Sequence, residues 1–126
     1  MYRTEESLRT IEHLFAHYNQ KNNTRCTTEN IEWVKGDILD LSILEDATKD
    51  VDVVYHCAAI VTFLKADFHT CMKVNRKGTA NVVNACLQNN VNKLCYVSST
   101  AALGKSTGLT TEETKWESGA DVSGYS

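Results

Sequence analysis

Three groups of polar or very small side chains in this sequence are of types that can hold a nucleotide or orient a reacting oxygen. They are Asp37, the pair Ala58 and Ala59, and the run Ser98, Ser99 and Thr100. A carboxylate can accept hydrogen bonds from amino or hydroxyl groups, two alanines leave space for a cofactor against the backbone, and hydroxyls can orient a carbonyl or an alcohol. Each group also has a structural interpretation, because aspartate, serine and threonine often only terminate a strand or satisfy the backbone of a turn.

Tyr125 is a candidate of another kind, because a phenol can exchange a proton with a substrate oxygen. A tyrosine ordinarily titrates far above neutral pH, so efficient catalysis needs a nearby cation to bring its pKa down. No lysine or arginine follows Tyr125 in this sequence, and the α-carboxylate of Ser126 would act in the opposite direction. Taken alone, Tyr125 therefore fits a structural role as well as a catalytic one.

The three groups share a position, because each ends an apolar segment. The segments are Ile31–Asp37, Val51–Ala59 and Lys93–Thr100. Such runs predict strands that are buried on both faces of a parallel sheet, with Val51–Ala59 as a central strand. In open α/β sheets, ligands bind outside the carboxyl ends of the strands, so we expect the functional residues to meet at that edge.

Helical periodicity fills the intervals between these segments. It predicts an amphipathic helix over residues 4–18 that packs on the sheet, a short helix opened by a capping box at Ser42 to Glu45, and a long helix from Ala66 to Asn90. Cys71 and Cys86 fall on the apolar face of the long helix, and Cys57 and Cys95 inside strands, which favours buried thiols over nucleophiles.

Asn75 lies on the apolar face of the long helix. A buried carboxamide without partners costs roughly 1 to 3 kcal/mol, so we expect Asn75 to bind backbone groups of an adjoining strand end. The alternative is an asparagine at the helix margin that faces solvent. Gly78 lies inside the same helix, where glycine costs about 1 kcal/mol relative to alanine, and this predicts a close approach to a neighbouring backbone.

Composition excludes several classes of protein. A chain of 126 residues with a net charge of −3 and a pI near 5.8 has room for one domain and no basic stripe for nucleic acid. Neither a membrane span nor a signal peptide is indicated, so we expect a cytoplasmic protein. The five cysteines contain no Cys-x-x-Cys pair, and His13 and His17 have no third ligand, so neither disulfides nor a metal is expected.

Five short motifs occur together in a fixed order. They are Gly36-Asp37-Ile38, His56-Cys57-Ala58-Ala59, Val74-Asn75-x-x-Gly78-Thr79, Val97-Ser98-Ser99-Thr100 and Ser123-Gly124-Tyr125-Ser126. In order and spacing these motifs resemble the extended short-chain dehydrogenases/reductases, often called the NAD-dependent epimerase/dehydratase family. The second motif, followed by Val61-x-Phe63, resembles dihydroflavonol reductases and 3β-hydroxysteroid dehydrogenases most.

The resemblance implies an α/β fold in which residues 1–126 form a partial NAD(P)-binding, Rossmann-like domain with a doubly wound parallel sheet. Ser99 would supply the catalytic hydroxyl, with Thr100 as the alternative, and Tyr125 would exchange a proton while a hydride moves between the substrate and nicotinamide. Residues expected to contact or support the cofactor are Arg3, Asp37, Ile38, Ala58, Ala59, Asn75, Ser98 and Thr100. An arginine at position 3, following the family's second strand, would pair with the 2′-phosphate of NADP, which makes NADP the expected cofactor with NAD as the alternative. The structural alternative is a solvent-facing arginine at the start of a helix.

The chain also departs from the family pattern. It has neither the first strand with its glycine-rich loop nor the lysine four residues after Tyr125, so it resembles an interior fragment that we expect to be inactive alone. The complete protein is expected to act on a small molecule, and a homodimer is left open. Two alternatives remain: a non-catalytic dinucleotide-binding or regulatory protein of the same fold, and an unrelated α/β interaction module.

The family strand order 3-2-1-4-5 carries a structural expectation. This chain supplies only the third, fourth and fifth strands, so Val51–Ala59 should pair in parallel with Lys93–Ser99 and not with Ile31–Asp37. Neighbouring strands lie about 4.8 Å apart, so Ile31–Asp37 and Val51–Ala59, separated by three such spacings, should lie roughly 14 Å from each other.

Overall fold

The computed structural model describes residues 4–103 and 108–114, and its centre is a pair of parallel strands. Strand β1 (Val53–His56) and strand β2 (Lys93–Tyr96) are hydrogen-bonded, with Val53 opposite Lys93 and His56 opposite Tyr96. The predicted parallel pairing of these two segments is confirmed. Both strands are shorter than the apolar segments that contain them, since β1 begins two residues after Val51 and β2 ends before Val97.

A long helical stretch connects the two strands. It begins with a 3₁₀ turn (Lys65–Asp67), continues as helix α3 (Phe68–Cys71) and a π-helical segment (Met72–Gly78), and ends as helix α4 (Thr79–Gln88). Backbone angles stay helical at each junction, so residues 68–88 form one continuous helix, here called the long helix. The predicted helix is confirmed, whereas its π-helical segment was not predicted.

The hydrophobic core lies between the long helix and helix α2 (Leu41–Ala47). Its buried members are Ile38, Leu44, Val82, Ala85 and Cys86, with Val54 and Leu94 of the two strands packed against them. The N-cap of α2 is Asp40, whose side chain accepts a hydrogen bond from the backbone N–H of Ile43 at 3.3 Å. The predicted capping box began at Ser42 and was wrong by two residues, since the aspartate supplies the better placed acceptor.

One face of the two-stranded sheet is open to solvent among the described residues. Val53 is 41% exposed and Tyr55 73% exposed, while His56 on the other face is buried. The prediction of a strand buried on both faces is therefore wrong for this structure, because none of the described helices covers that side. Cys57 and Cys95 are exposed for the same reason, although Cys71 and Cys86 are buried as expected.

Residues 31–37 do not form the predicted strand. Only Lys35 has a bridge-type hydrogen-bonding pattern, and the sheet of the described residues contains β1 and β2 alone. A strand needs a neighbour for its backbone N–H and C=O groups, and the described residues offer this segment no neighbouring strand. As predicted, the segment does not pair with β1.

Helix α1 (Glu5–Asn22) is longer than predicted and stands apart from the sheet. None of the described helices or strands packs closely on it, and Leu14 and Tyr18 keep 60% and 54% of their surfaces exposed. The expected packing of this helix on the sheet is thus absent from the described structure. A search of the described helices for a stretch with the length and hydropathy of a membrane span finds none.

Candidate functional site

Four of the predicted site residues meet in one small cavity at the carboxyl ends of the two strands. They are Ala59, Asn75, Ser98 and Ser99. The cavity has a volume of about 60 Å³, and Tyr96, Val97 and Ala102 complete its lining. The parallel pairing brings Ala59 and the two serines together, and the long helix adds Asn75 from the side.

Two further predicted residues, Ile38 and Ala58, line a larger cavity that lies beside β1. This cavity has a volume of about 460 Å³ and reaches from Glu32 and Val34 to the strand. Ala58 and Ala59 follow each other in the chain and face different cavities. The segment 57–60, here called the turn after β1, therefore separates the two cavities. The residues expected to contact or support the cofactor therefore lie on both sides of this turn, with Ile38 and Ala58 on one side and Ala59, Asn75 and Ser98 on the other.

The Asn75 carboxamide is fully engaged with the backbone of Ile60. Its Oδ1 accepts a hydrogen bond from Ile60 N at 2.8 Å, and its Nδ2 donates to Ile60 O at 2.9 Å. The prediction that Asn75 binds backbone groups beyond a strand end is confirmed, and the solvent-facing alternative is excluded. Both polar ends of the carboxamide are used, so Asn75 acts on the turn that follows β1.

Ser99 is half-buried and opens the 3₁₀ turn Thr100–Leu103. Its Oγ accepts a hydrogen bond from Ala101 N at 3.2 Å, and its carbonyl accepts one from Ala102 N at 3.0 Å. An Oγ that accepts from the backbone still has its own proton to donate. The described contacts thus fix the hydroxyl and leave it a donor, while Ser98 lies exposed beside it.

Asp37 and Ile38 form a turn that is tied to the long helix. Asp37 Oδ1 accepts a hydrogen bond from Leu39 N at 3.0 Å, and the Ile38 carbonyl accepts one from Asn81 Nδ2 at 3.1 Å. A Cβ at Gly78 would lie only 2.5 Å from Cδ1 of Ile38. Gly78 therefore permits the predicted close approach, but its neighbour is a side chain and not a backbone.

His56, the last residue of β1, is a site feature that sequence reasoning missed. Its Nε2 lies 2.9 Å from Thr79 Oγ1, and its ring centroid lies 5.4 Å from that of Tyr96. Burial to 4% exposure lowers the pKa of His56, because a charged imidazolium would lose its hydration there. A histidine that ends an otherwise apolar strand was the available signal, since a buried polar ring requires a partner.

Arg3 and Tyr125 lie outside the described residues, so their expected roles stay predictions. Thr100 begins the 3₁₀ turn and is exposed. Within residues 4–103 and 108–114, no group of three histidine, cysteine, aspartate or glutamate side chains lies close enough together to hold a metal ion.

The residue types of the described site are those expected for binding a dinucleotide. The two alanines after β1 are exposed at the strand edge, and a larger side chain at either position would fill the space in front of the backbone. Ser98 and Ser99 line the small cavity beyond β2, and Asp37 precedes Ile38, which lines the larger cavity beside β1. Small residues for close approach and a few polar groups for orientation are what a cofactor site of this fold requires.

Comparison with known proteins gives a consistent result. Over 72 residues the chain is 36% identical to short-chain dehydrogenase/reductase family 42E member 1 of Xenopus laevis. This match covers 56% of this chain and 19% of that protein. Over 69 residues it is 38% identical to an inverting UDP-N-acetylglucosamine 4,6-dehydratase of Campylobacter jejuni, which covers 53% and 21%.

The solved structure of UDP-glucuronic acid 4-epimerase from Bacillus cereus, in complex with NAD, is similar in fold, with a TM-score of 0.63 and 27% identity. The match covers 87% of this chain and 33% of the epimerase. The chain thus spans about a fifth of the curated relatives and a third of this solved one. The likeness confirms a partial Rossmann-like α/β fold.

Residues 2–120 match the 3-beta hydroxysteroid dehydrogenase/isomerase family, which accounts for nearly the whole chain. The match agrees with the resemblance seen in the motifs, and it includes the strand ends and the long helix that build the site. The chain belongs to the 3-beta hydroxysteroid dehydrogenase/isomerase family, among the extended short-chain dehydrogenases/reductases.

Proposed function

We propose that this chain provides the cofactor-facing strand ends and the acid–base groups of an NAD(P)-dependent oxidoreductase or epimerase/dehydratase. The observation that carries the proposal is the meeting of Ala59, Asn75, Ser98 and Ser99 in one cavity at the carboxyl edge of β1 and β2. That edge is where ligands bind in open α/β sheets. The epimerase of similar fold, with NAD bound, supports a nicotinamide dinucleotide as the cofactor.

Ser99 is the proposed hydroxyl that orients the reacting substrate oxygen. Its Oγ is held by Ala101 N and retains a proton to donate, so it can hydrogen-bond a carbonyl or alkoxide without reorganising the turn. Tyr125 is the proposed proton donor and acceptor for the same oxygen. When bound, the nicotinamide supplies the hydride acceptor or donor.

Ala58, Ala59 and Asp37 are the proposed cofactor contacts of the described residues. The alanines admit the cofactor to the backbone after β1, and Asp37 presents a carboxylate oxygen at the neighbouring turn. Arg3 supports a preference for NADP, because a guanidinium can pair with the 2′-phosphate. Titration of the complete protein with NADP and with NAD tests the preference, and equal affinities would reject it.

The catalytic proposal is tested in the complete protein with a panel of hydroxysteroids and UDP-sugars, following hydride transfer by the absorbance of the reduced nicotinamide. Ser99→Ala and Tyr125→Phe should each lower kcat by about 10²-fold or more with little change in cofactor affinity. Ser42→Ala, at an exposed serine on α2, is the matched control. Undiminished turnover in either site variant would remove that residue from the mechanism.

A non-catalytic protein of the same fold gives a different result in the same experiment. It would bind the cofactor in the titration and yet transfer no hydride with any substrate of the panel. We also propose that residues 1–126 alone are inactive, which the same assay on the isolated chain tests.

A further inference from the structure

The turn after β1 is tied to the long helix at both of its ends. At its start, His56 Nε2 and Thr79 Oγ1 lie 2.9 Å apart. At its end, the backbone N–H and C=O of Ile60 both bind the Asn75 carboxamide, at 2.8 Å and 2.9 Å. Between these points lie the two alanines that face the two cavities.

The two ties belong to one stretch of helix. Asn75 lies inside the π-helical segment and Thr79 is the first residue after it, so the wide turn sets the angle between their side chains. Single π-helical turns inside α-helices occur frequently at functional sites. Gly78, between the two residues, brings the same part of the helix against Ile38.

The tie at His56 is sheltered from water. The imidazole is 4% exposed and lies beside the ring of Tyr96, so the hydrogen bond to Thr79 has little competition from solvent. The Asn75 tie has two hydrogen bonds to a single peptide residue, which fixes the orientation of that residue as well as its position. Neither tie uses an atom of the cofactor-facing alanines.

We propose that Asn75 and Thr79, with His56, are positioning residues that hold the turn Cys57–Ile60 in its cofactor-binding conformation. They act on the cofactor through this turn and do not contact it, which revises the expectation that Asn75 supports the site directly. The proposal deepens the proposed function and rests on it. The two ties restrain one short turn, so their effects should be coupled.

The test uses the complete protein and the variants Thr79→Val, Asn75→Ala and the double variant. Thr79→Ser is the conservative variant that keeps the hydroxyl. Asn84→Ala and Thr70→Val are matched controls, since both are exposed side chains on the same long helix. Two readouts are measured: amide hydrogen exchange without cofactor, and the Kd for NAD and for NADP by titration.

We expect the Ile60 amide, whose acceptor is Asn75 Oδ1, to exchange at least about tenfold faster in Asn75→Ala. The Lys93 amide, which donates to Asp52 O at the start of the ladder, should keep its rate, showing that the sheet is intact. Thr79→Val should raise the cofactor Kd by about tenfold, the equivalent of one lost hydrogen bond, and Thr79→Ser should restore it. The controls should change neither readout.

Unchanged exchange at Ile60 and unchanged Kd in the two single variants would overturn the proposal. Equal acceleration at Ile60 and Lys93 would also overturn it, because the ties would then serve general stability and not the turn. If the parent protein binds neither NAD nor NADP, the proposed function fails, while the exchange readout still decides whether the turn is held. If Asn75→Ala does not fold, the Thr79 variants and their Kd values decide.

Discussion

Individual side chains were predictable where their chemistry leaves few choices. Asn75 could be assigned backbone partners because a buried carboxamide must satisfy both of its polar ends, and it binds Ile60 in that way. His56 follows the same rule, yet its partner Thr79 lies 23 residues further along the chain, and no local pattern identifies it. The roles of Ser99 and Asp37 toward a ligand remain predictions, since the described contacts show only their turn hydrogen bonds.

The buried His56 should make stability depend on pH. Its pKa is lowered in the folded protein from the ordinary 6.5, so below that pH the unfolded chain takes up a proton that the folded protein does not. The contribution of neutral His56 to the free energy of unfolding is therefore complete above about pH 6.5. It decreases as the pH falls from there through the pKa of His56 in the folded protein.

Denaturant unfolding of the complete protein between pH 8 and pH 5 measures this dependence. His56→Gln should flatten it, whereas Thr70→Val, at an exposed residue of the long helix, should leave it as in the parent. An identical pH dependence in the parent and in His56→Gln would show that His56 does not contribute.

Gly78 offers a second test at the scale of one residue. A Cβ at this position would lie 2.5 Å from Cδ1 and 2.7 Å from Cγ1 of Ile38, a core residue that is 8% exposed. Overpacking costs about 1 to 3 kcal/mol, and alanine returns about 1 kcal/mol of helix propensity. We expect Gly78→Ala to lower the free energy of unfolding by about 1 kcal/mol.

Ile38→Val provides the control for that substitution, because it removes Cδ1, the nearer of the two Ile38 atoms that would clash. In the Ile38→Val background, Gly78→Ala should cost less than in the parent, a positive coupling that denaturant unfolding can measure. Equal costs in both backgrounds would show that Cδ1 of Ile38 is not the atom that makes glycine necessary at position 78.

At the scale of elements, the sequence located the long helix and both paired strands but missed two features. The π-helical segment could not be predicted from apolar residues spaced three and four apart. A π-helical turn changes this spacing too little to be distinguished from an α-helical pattern. Residues 31–37 have the composition of a strand but form none, because strand formation depends on a neighbour that the described residues do not provide. The composition of residues 31–37 therefore predicted a tendency to form a strand. Whether a strand forms depends on a partner strand, which the described residues do not provide.

The ends of α2 and α4 are joined by one asparagine. Asn89 Nδ2 donates to Glu45 O at 2.7 Å and to Thr48 Oγ1 at 2.8 Å, where Thr48 is 5% exposed. Asn89→Ala leaves the Glu45 carbonyl without this donor, so we expect a loss of about 1 to 3 kcal/mol in the free energy of unfolding.

The measurement is denaturant unfolding, with Asn84→Ala as the comparison at an exposed asparagine of the same helix. A change within about 0.5 kcal/mol is expected for that surface substitution. If both variants lose the same stability, the bond between α2 and α4 has no special part in holding the two helices together.

At the scale of the whole molecule, the described residues leave a space beside β1. The cavity of about 460 Å³ separates Glu32 and Val34 from the strand, and among the described residues the strand pairs only with β2. This agrees with the strand order implied by the resemblance, in which two strands lie between these segments. An open strand edge exposes unpaired backbone groups, which an isolated chain is unsuited to maintain in water.

We therefore expect the β1 amides to exchange their hydrogens much faster in the isolated 126-residue chain than in the complete protein. Amide exchange of both proteins, followed by mass spectrometry, measures the difference, and the amides of α4 serve as an internal comparison. Equally slow exchange of β1 in both proteins would show that the strand needs no second neighbour and would count against the strand order.

The unit that runs from β1 through the long helix to β2 also has a consequence for the order of folding. Its two strands and its helix follow one another along residues 53–96, and Val54, Val82 and Leu94 of this unit pack in one core. The helix supplies the local contacts of this unit, whereas the strand pairing joins Val53 to Lys93, 40 residues apart (93 minus 53). We therefore expect the helix and its core contacts to form first and the strand pairing to follow. We expect Val82→Ala, in its core, to slow folding, while substitutions on α1 change mainly the unfolding rate. During synthesis from the N-terminus, this unit would then begin to fold as soon as residues 53–96 have emerged from the ribosome.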